Sequence, residues 1–114
     1  MSDCLFCKIV AKTIPAKIVH EDDQCVAFDD INPQAPTHTL VIPKRHAASI
    51  AELNEADAGL LGHLMLTGAK VAKQKGIAEG GYRLVINTGR NGGQTVFHLH
   101  LHLLGGRPMH WPPG

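Results

Sequence analysis

The sequence predicts an α+β domain, a five-stranded antiparallel sheet carrying one long helix and a short N-terminal helix. Three observations carry that expectation. Short β-branched segments separated by turn residues read as strands joined by hairpins. Around residues 54–75, Leu60, Leu61, Leu64, Gly68, Val71 and Ala72 fall on one helical face. Residues 97–104 alternate strictly between apolar side chains and histidine, the period of a strand. Antiparallel strands with a single main helix bury their apolar faces when the helix covers one side of the sheet.

Taken in order, residues 4–11 form a short helix that Ile14-Pro15 closes. Residues 17–21 and 25–29 are two short strands, with the acidic Glu21-Asp22-Asp23-Gln24 as the turn between them. Residues 39–42 (Thr-Leu-Val-Ile) are a third strand that stops at Pro43. Asn54 is placed to cap the long helix, with Glu55 and Asp57 in its first turn, where the helix dipole favours anions. Lys73 and Lys75 lie in the last turn and Gly76 ends a helix of ~30 Å. Residues 82–87 and 97–104 supply the fourth and fifth strands. Phe97, Leu99, Leu101 and Leu103 then face the core, and His98, His100 and His102 the other side, ~7 Å apart in succession.

With 114 residues, 44% apolar and 18% charged, residues 1–114 make one globular domain. A net charge of +1 with dispersed basic residues argues against binding long nucleic acids, which takes a concentrated basic face. No apolar run approaches the ~20 residues that span a bilayer, and no signal peptide is recognisable, so a cytoplasmic location is expected. Three cysteines, an odd number without an export signal, disfavour a disulfide framework.

Three of the eight histidines fall within five residues. A half-exposed strand carries an occasional histidine, but three in alternation, with no other polar type among them, point to chemistry. A neutral imidazole is both nucleophile and proton carrier near pH 7. The upstream stretch from Asn87 to Thr95 contains Gly92-Gly93, which suits a turn and also lets backbone amides approach an anion. A phosphate held there would lie beside the imidazole row.

Gly93-Gln94-Thr95-Val96-Phe97-His98-Leu99-His100-Leu101-His102-Leu103-Leu104 resembles the His-φ-His-φ-His-φ-φ signature (φ apolar) of the histidine triad (HIT) superfamily. Residues 33–38, residues 41–46 and the ending Leu104-Gly105-Gly106-Arg107-Pro108-Met109-His110-Trp111-Pro112-Pro113-Gly114 resemble its Hint (histidine triad nucleotide-binding) branch. The third histidine matters, because the uridylyltransferase branch places Gln there. The resemblance runs from about Phe6 to the end.

The resemblance implies a purine nucleoside phosphoramidate hydrolase that releases AMP from amino- or acyl-AMP through a nucleotidyl-histidine. It assigns His100 as the nucleophile at the α-phosphorus, with His38, His98 and His102 completing the catalytic set. Gly93, Gln94, Thr95 and Val96 would meet the phosphate or leaving group, Asp30 the ribose hydroxyls, and Asn87 the sugar–phosphate region. Phe6, Ile9, Phe28 and Ile31 would line the base pocket for AMP or GMP. Thr95 departs from the Ser usual in the family, and its added methyl narrows the space for a leaving group. The tail, residues 105–114, would dock through Trp111 on the partner of a symmetric homodimer, which also covers a sheet edge.

Cys4-Leu5-Phe6-Cys7 has the two-residue gap of a zinc knuckle. The resemblance to bacterial relatives implies that His46 and His98 complete a structural zinc site; no organic cofactor is implied. Cys25 reads as a small apolar side chain, and His20, His63 and His110 as isolated or locally satisfied. Two rival readings remain. One is a zinc hydrolase using His38, His100 and His102 to activate water. The other is a non-catalytic AMP-binding or interaction module.

Overall fold

The computed structural model describes residues 3–114; residues 1 and 2, included in the expected domain, lie outside the described residues. The elements are α1 (Leu5–Val10), β1 (Ile18–Glu21), β2 (Cys25–Asp29), β3 (Thr37–Pro43), α2 (Ala58–Gln74), β4 (Tyr82–Ile86) and β5 (Leu101–Gly105), with two short 3-10 turns before α2. The strands form one sheet in the order β1-β2-β3-β5-β4, every pair antiparallel. This is the expected α+β architecture.

Alternation along the strands divides the interior into two cores. On one face Cys25, Ala27, Val41, Leu101 and Leu103 pack under Leu64, Val71 and Ala72 of α2. On the other, Val26, Phe28, Leu40 and Ile42 pack against Phe6 and Ile9 of α1. The long helix approaches the sheet closely at Gly68, where an added Cβ would sit 3.1 Å from side-chain carbons of both Leu84 and Leu101. Thr67, absent from the expected apolar face, is buried there, while Leu60 and Leu61 are half-buried. Asn54 caps, but not the long helix itself, which starts after Asp57: the Asn54 Oδ1 accepts from Ala56 N, and Asp57 Oδ2 accepts from Asn54 N in return. The capped turn is 3-10 (Glu55–Asp57) and runs into α2.

The histidine segment needs correction. Residues 97–104 do not form one strand, because β5 starts only at Leu101. Upstream, Leu99 N bonds to Ala47 O instead of a ladder partner, and the His98 carbonyl is taken by the ring of His100. Opposite, β3 ends at Pro43, whose carbonyl accepts from the His98 ring. Side chains have replaced the ladder bonds, so the pairing ends there. Phe97, expected in the core, is 57% exposed for the same reason.

Candidate active site

His38 and His102 reach the same face through sheet register. His38 pairs with Leu104 and Leu40 with His102, so His38 and His102 are diagonal neighbours on adjacent strands, on the side facing α1. Their rings meet, with His38 Nε2 2.9 Å from His102 Nδ1. His100 lies beside them, its ring centroid 4.9 Å from that of His102. Phe6 of α1 sets its ring edge-on to Phe28, His98 and His100. The three triad histidines therefore do not make one open row. His98 is wholly buried and turned toward the N-terminal cysteines, while His100 and His102 face a cleft of about 460 Å³.

The hydrogen bonds assign each ring proton. Burial lowers the pKa of His38, His98, His100 and His102, taking His102 to about 4 with help from the neighbouring His100 and His38. All four are neutral at pH 7, so each carries one N–H. The Gln34 backbone amide donates to His38 Nδ1 at 3.0 Å, which puts the His38 proton on Nε2. That proton is donated to His102 Nδ1, which puts the His102 proton on Nε2. His100 Nδ1 donates to the His98 carbonyl at 2.7 Å and leaves Nε2 with a bare lone pair. Among the described residues, His102 Nε2 is the buried side-chain polar atom with no hydrogen-bond partner. A bare imidazole nitrogen and an unsatisfied N–H donor are thus supplied by adjacent rings at one cleft.

The cleft is lined by the apolar Phe6, Ile9, Phe28, Ile31, Leu40 and Val96 and by the polar Asp30, His38, Thr95, His100 and His102. Ile31 stands at the mouth, almost fully exposed. Asp30 accepts from Asn32 N through Oδ1 and lies 3.5 Å from His38 Nε2 through Oδ2, keeping one oxygen toward the histidine rings. Three expected substrate contacts do not line the cleft: Asn87, Gly93 and Gln94. The Gln94 side chain is buried and engaged with backbone, donating to the carbonyls of Ala48 and Val96 and accepting from Gly89 N. It braces the loop of residues 87–95. Trp111 is 82% exposed.

A second cluster lies behind the first. Cys4, Cys7, His46 and His98 bring one donor atom each within 4.8 Å of the others. His46 Nδ1 and His98 Nδ1 are 3.1 Å apart, and Sγ to Nδ1 distances run from 3.3 to 3.5 Å. Tetrahedral zinc with bonds of ~2.3 Å to sulfur and ~2.05 Å to nitrogen sets its ligands roughly 3.3–3.6 Å apart. The donor set fits. His98 Nε2 donates to Pro43 O at 2.9 Å, which leaves Nδ1 as the unprotonated, ligating nitrogen and supplies the outer-sphere bond such ligands keep. Cys7 N donates to Cys4 Sγ. At the cleft the metal-capable group is Asp30, His38 and His102, a set that does not include His100.

Sequence reasoning missed a third cluster. His20 and His63, read as isolated, both bring Nε2 to 2.8 Å from the same Asp22 oxygen, tying the β1–β2 turn to α2. Nothing in their spacing, 43 residues apart, signals that meeting.

The chain matches the HIT domain family over residues 11–109. It is 58% identical over 112 residues to an uncharacterized HIT-like protein of Synechococcus elongatus, covering 98% of this chain and 97% of that protein. A HIT family hydrolase from Legionella pneumophila superposes with a TM-score of 0.96 at 54% identity, covering 98% and 100% of the two chains. A histidine triad nucleotide-binding protein from Candida albicans does so with a TM-score of 0.82 at 31% identity, covering 96% and 83%.

Proposed function

This chain belongs to the HIT domain family, and on that footing we propose that it is a hydrolase of purine nucleoside phosphoramidates, with His100 Nε2 as nucleophile. The observation that carries the reading is the pair of opposite ring tautomers, a bare Nε2 on His100 and a proton-bearing Nε2 on His102, at one cleft. The cleft volume of about 460 Å³ lies in the range of small-molecule sites, and its apolar side chains suit a base while its polar ones suit a phosphate.

In the first step His100 Nε2 forms a bond to the α-phosphorus and the P–N bond to the amine breaks. The departing nitrogen takes a proton, for which His102 Nε2–H would be the donor, and His102 recovers a proton from the water that enters in the second step. In the second step water attacks the phosphorus of the nucleotidyl-imidazole, and AMP leaves with His100 regenerated. Through both steps the His98 carbonyl stabilises the positive charge that develops on the His100 ring. Asp30 is positioned for the ribose hydroxyls, while Phe6, Ile9, Phe28 and Ile31 hold the base.

Cys4, Cys7, His46 and His98 would hold a zinc ion, whose contribution is structural, fixing α1 and with it the Phe6 wall of the cleft. A homodimer in which Trp111 docks on the partner would explain why so large an apolar side chain stands exposed.

The test is to mix the protein with an amino-AMP, quench in denaturant at alkaline pH, and look by mass spectrometry for an adenylyl group on the peptide carrying His100. An adduct on His100 is expected. With the quench made at alkaline pH, where the P–N bond of the adduct survives, turnover with no adduct at any quench time, abolished by chelation, would instead favour metal-activated water.

A further inference from the structure

The catalytic rings are held from outside the cleft. β5 ends at Gly105, opposite Thr37 at the start of β3, and the chain then continues along the loop that leads into β3. Gly106 has φ +88°, and a Cβ there would sit 2.9 Å from Pro36 Cβ, so its backbone lies against the Pro36 ring. The next residue, Arg107, closes the contact. Its Nε and one terminal nitrogen both donate to the Gln34 carbonyl, at 3.3 and 3.0 Å, and its other terminal nitrogen donates to Pro108 O at 2.9 Å. Downstream, Arg83 donates to His110 O at 2.8 Å and fastens the tail to β4.

Gln34 is the residue whose backbone N–H donates to His38 Nδ1. A forked guanidinium on its carbonyl fixes the orientation of that residue, and the residue in turn fixes where the His38 proton resides. We infer that Arg107 is a positioning residue for the catalytic set: by clamping Gln34 it holds His38 in the Nε2–H form, which keeps His102 in the Nε2–H form facing the cleft. The inference rests on the proposed phosphoramidase reading for its kinetic arm only. Arg107 does not line the cleft, whereas Gln34 does, so KM reports any change in direct substrate contact while the ring signals report the positioning role.

Loosening the clamp lets the Gln34 amide drift from His38 Nδ1. His38 and His102 then exchange between tautomers, and the protonated donor faces the leaving nitrogen for only part of the time. Such misplacement costs up to about 100-fold in rate. It acts on kcat and leaves nucleotide affinity in place, because the base and ribose contacts lie elsewhere in the cleft.

The experiment compares wild type with Arg107→Ala and Arg107→Lys. Long-range ¹⁵N–¹H spectra of the imidazoles are recorded on the substrate-free proteins, alongside kcat and KM for an amino-AMP. In Arg107→Ala the His38 and His102 nitrogens are expected to move toward tautomer-averaged positions. His20 and His63, held by Asp22, stay fixed as internal controls. The value of kcat falls roughly tenfold or more with KM changed less than about twofold, and Arg107→Lys, which keeps one donor for the same carbonyl, falls between. Unchanged His38 and His102 signals in Arg107→Ala overturn the inference, as does a rise in KM at constant kcat. If wild type turns over no phosphoramidate, the proposed function fails, while the tautomer spectra still decide the role of Arg107.

Discussion

The ring of His100 donates from Nδ1 to the backbone carbonyl of His98, 2.7 Å away, so one peptide oxygen decides which nitrogen of the histidine two residues on is bare. The same His98 sends its ring the opposite way, into the cysteine cluster. A carbonyl cannot be deleted by substitution, but the ring it orients can. His100→Ala should reduce turnover of an amino-AMP by at least roughly 1000-fold, as loss of a covalent nucleophile does. Affinity for AMP, measured by calorimetry, should change only a few-fold, since the apolar wall and Asp30 remain. Retained turnover would remove His100 from the nucleophile's role.

Burial holds His38 below its ordinary pKa and takes His102 from 6.5 to about 4. Folding therefore keeps both rings neutral where the unfolded chain would protonate them. The unfolded state binds the extra protons below pH 6.5, so this contribution to stability is fully present above 6.5 and is lost as pH falls from there toward about 4. The urea midpoint should be flat from pH 8 to about 7 and decline steadily below 6.5. In a His38→Gln, His102→Gln double variant that decline should flatten. An equally steep decline in the variant would place the titration elsewhere.

The sheet and long helix were legible because their residues act locally: the alternation of residues 25–29 and the cap at Asn54 each need only near neighbours to form. The histidine segment was partly misread for the opposite reason. Alternation predicts a strand through residue 97, but Pro43, 54 residues earlier in the sequence than Phe97, supplies a carbonyl to the His98 ring and no amide to the ladder. Of the site, residue types and the His38 partnership were foreseeable from the motifs. The proton positions were not, since they depend on the Gln34 amide and the His98 carbonyl, backbone atoms that no residue identity encodes. Gln94 shows the limit of reading roles from a motif. Its place beside the glycines suggested a phosphate ligand, yet its amide is spent on Ala48, Val96 and Gly89.

Metal analysis of protein purified without chelator is expected to return about one zinc per chain, and Cys4→Ser, Cys7→Ser to return none. Because α1 is only six residues long and is capped by Cys4 itself, it has little stability of its own. The double variant should therefore melt roughly 10 °C or more lower. Its folded fraction should keep an adduct-forming His100, because the His98 carbonyl that orients the ring belongs to the backbone. Full zinc content in the double variant would place the metal at another site.

Gly92 tests the loop. A Cβ at this position would lie 2.5 Å from the Thr88 carbonyl oxygen and 2.8 Å from Thr88 N, both backbone atoms that cannot swing aside. Gly92→Ala must therefore open the turn that Gln94 braces through Gly89. The expected cost is about 1–3 kcal/mol in urea unfolding. A loss of turnover larger than the loss of folded protein should accompany it, because Thr95 and Val96 at the cleft are carried on the same loop. Wild-type stability would show that the Thr88 peptide is free to move.

Asp22 offers the complementary case, a polar cluster on the α2 face of the sheet, away from the catalytic rings. Its Oδ2 accepts from His20 and His63 and its Oδ1 from the amides of Gln24 and Cys25. Asp22→Asn keeps an oxygen for the two amides and loses an acceptor for the imidazoles; Asp22→Ala loses all four bonds. With each bond worth about 1 kcal/mol net, the Asn variant should lose about 1–2 kcal/mol and the Ala variant about twice that. Neither should alter kcat or KM, since the cleft draws its residues from the opposite face. Equal destabilisation by the two variants would mean that the histidine link between the β1–β2 turn and α2 carries the whole effect and the amide bonds none. A change in kcat would mean that the two faces of the sheet are mechanically coupled through β2.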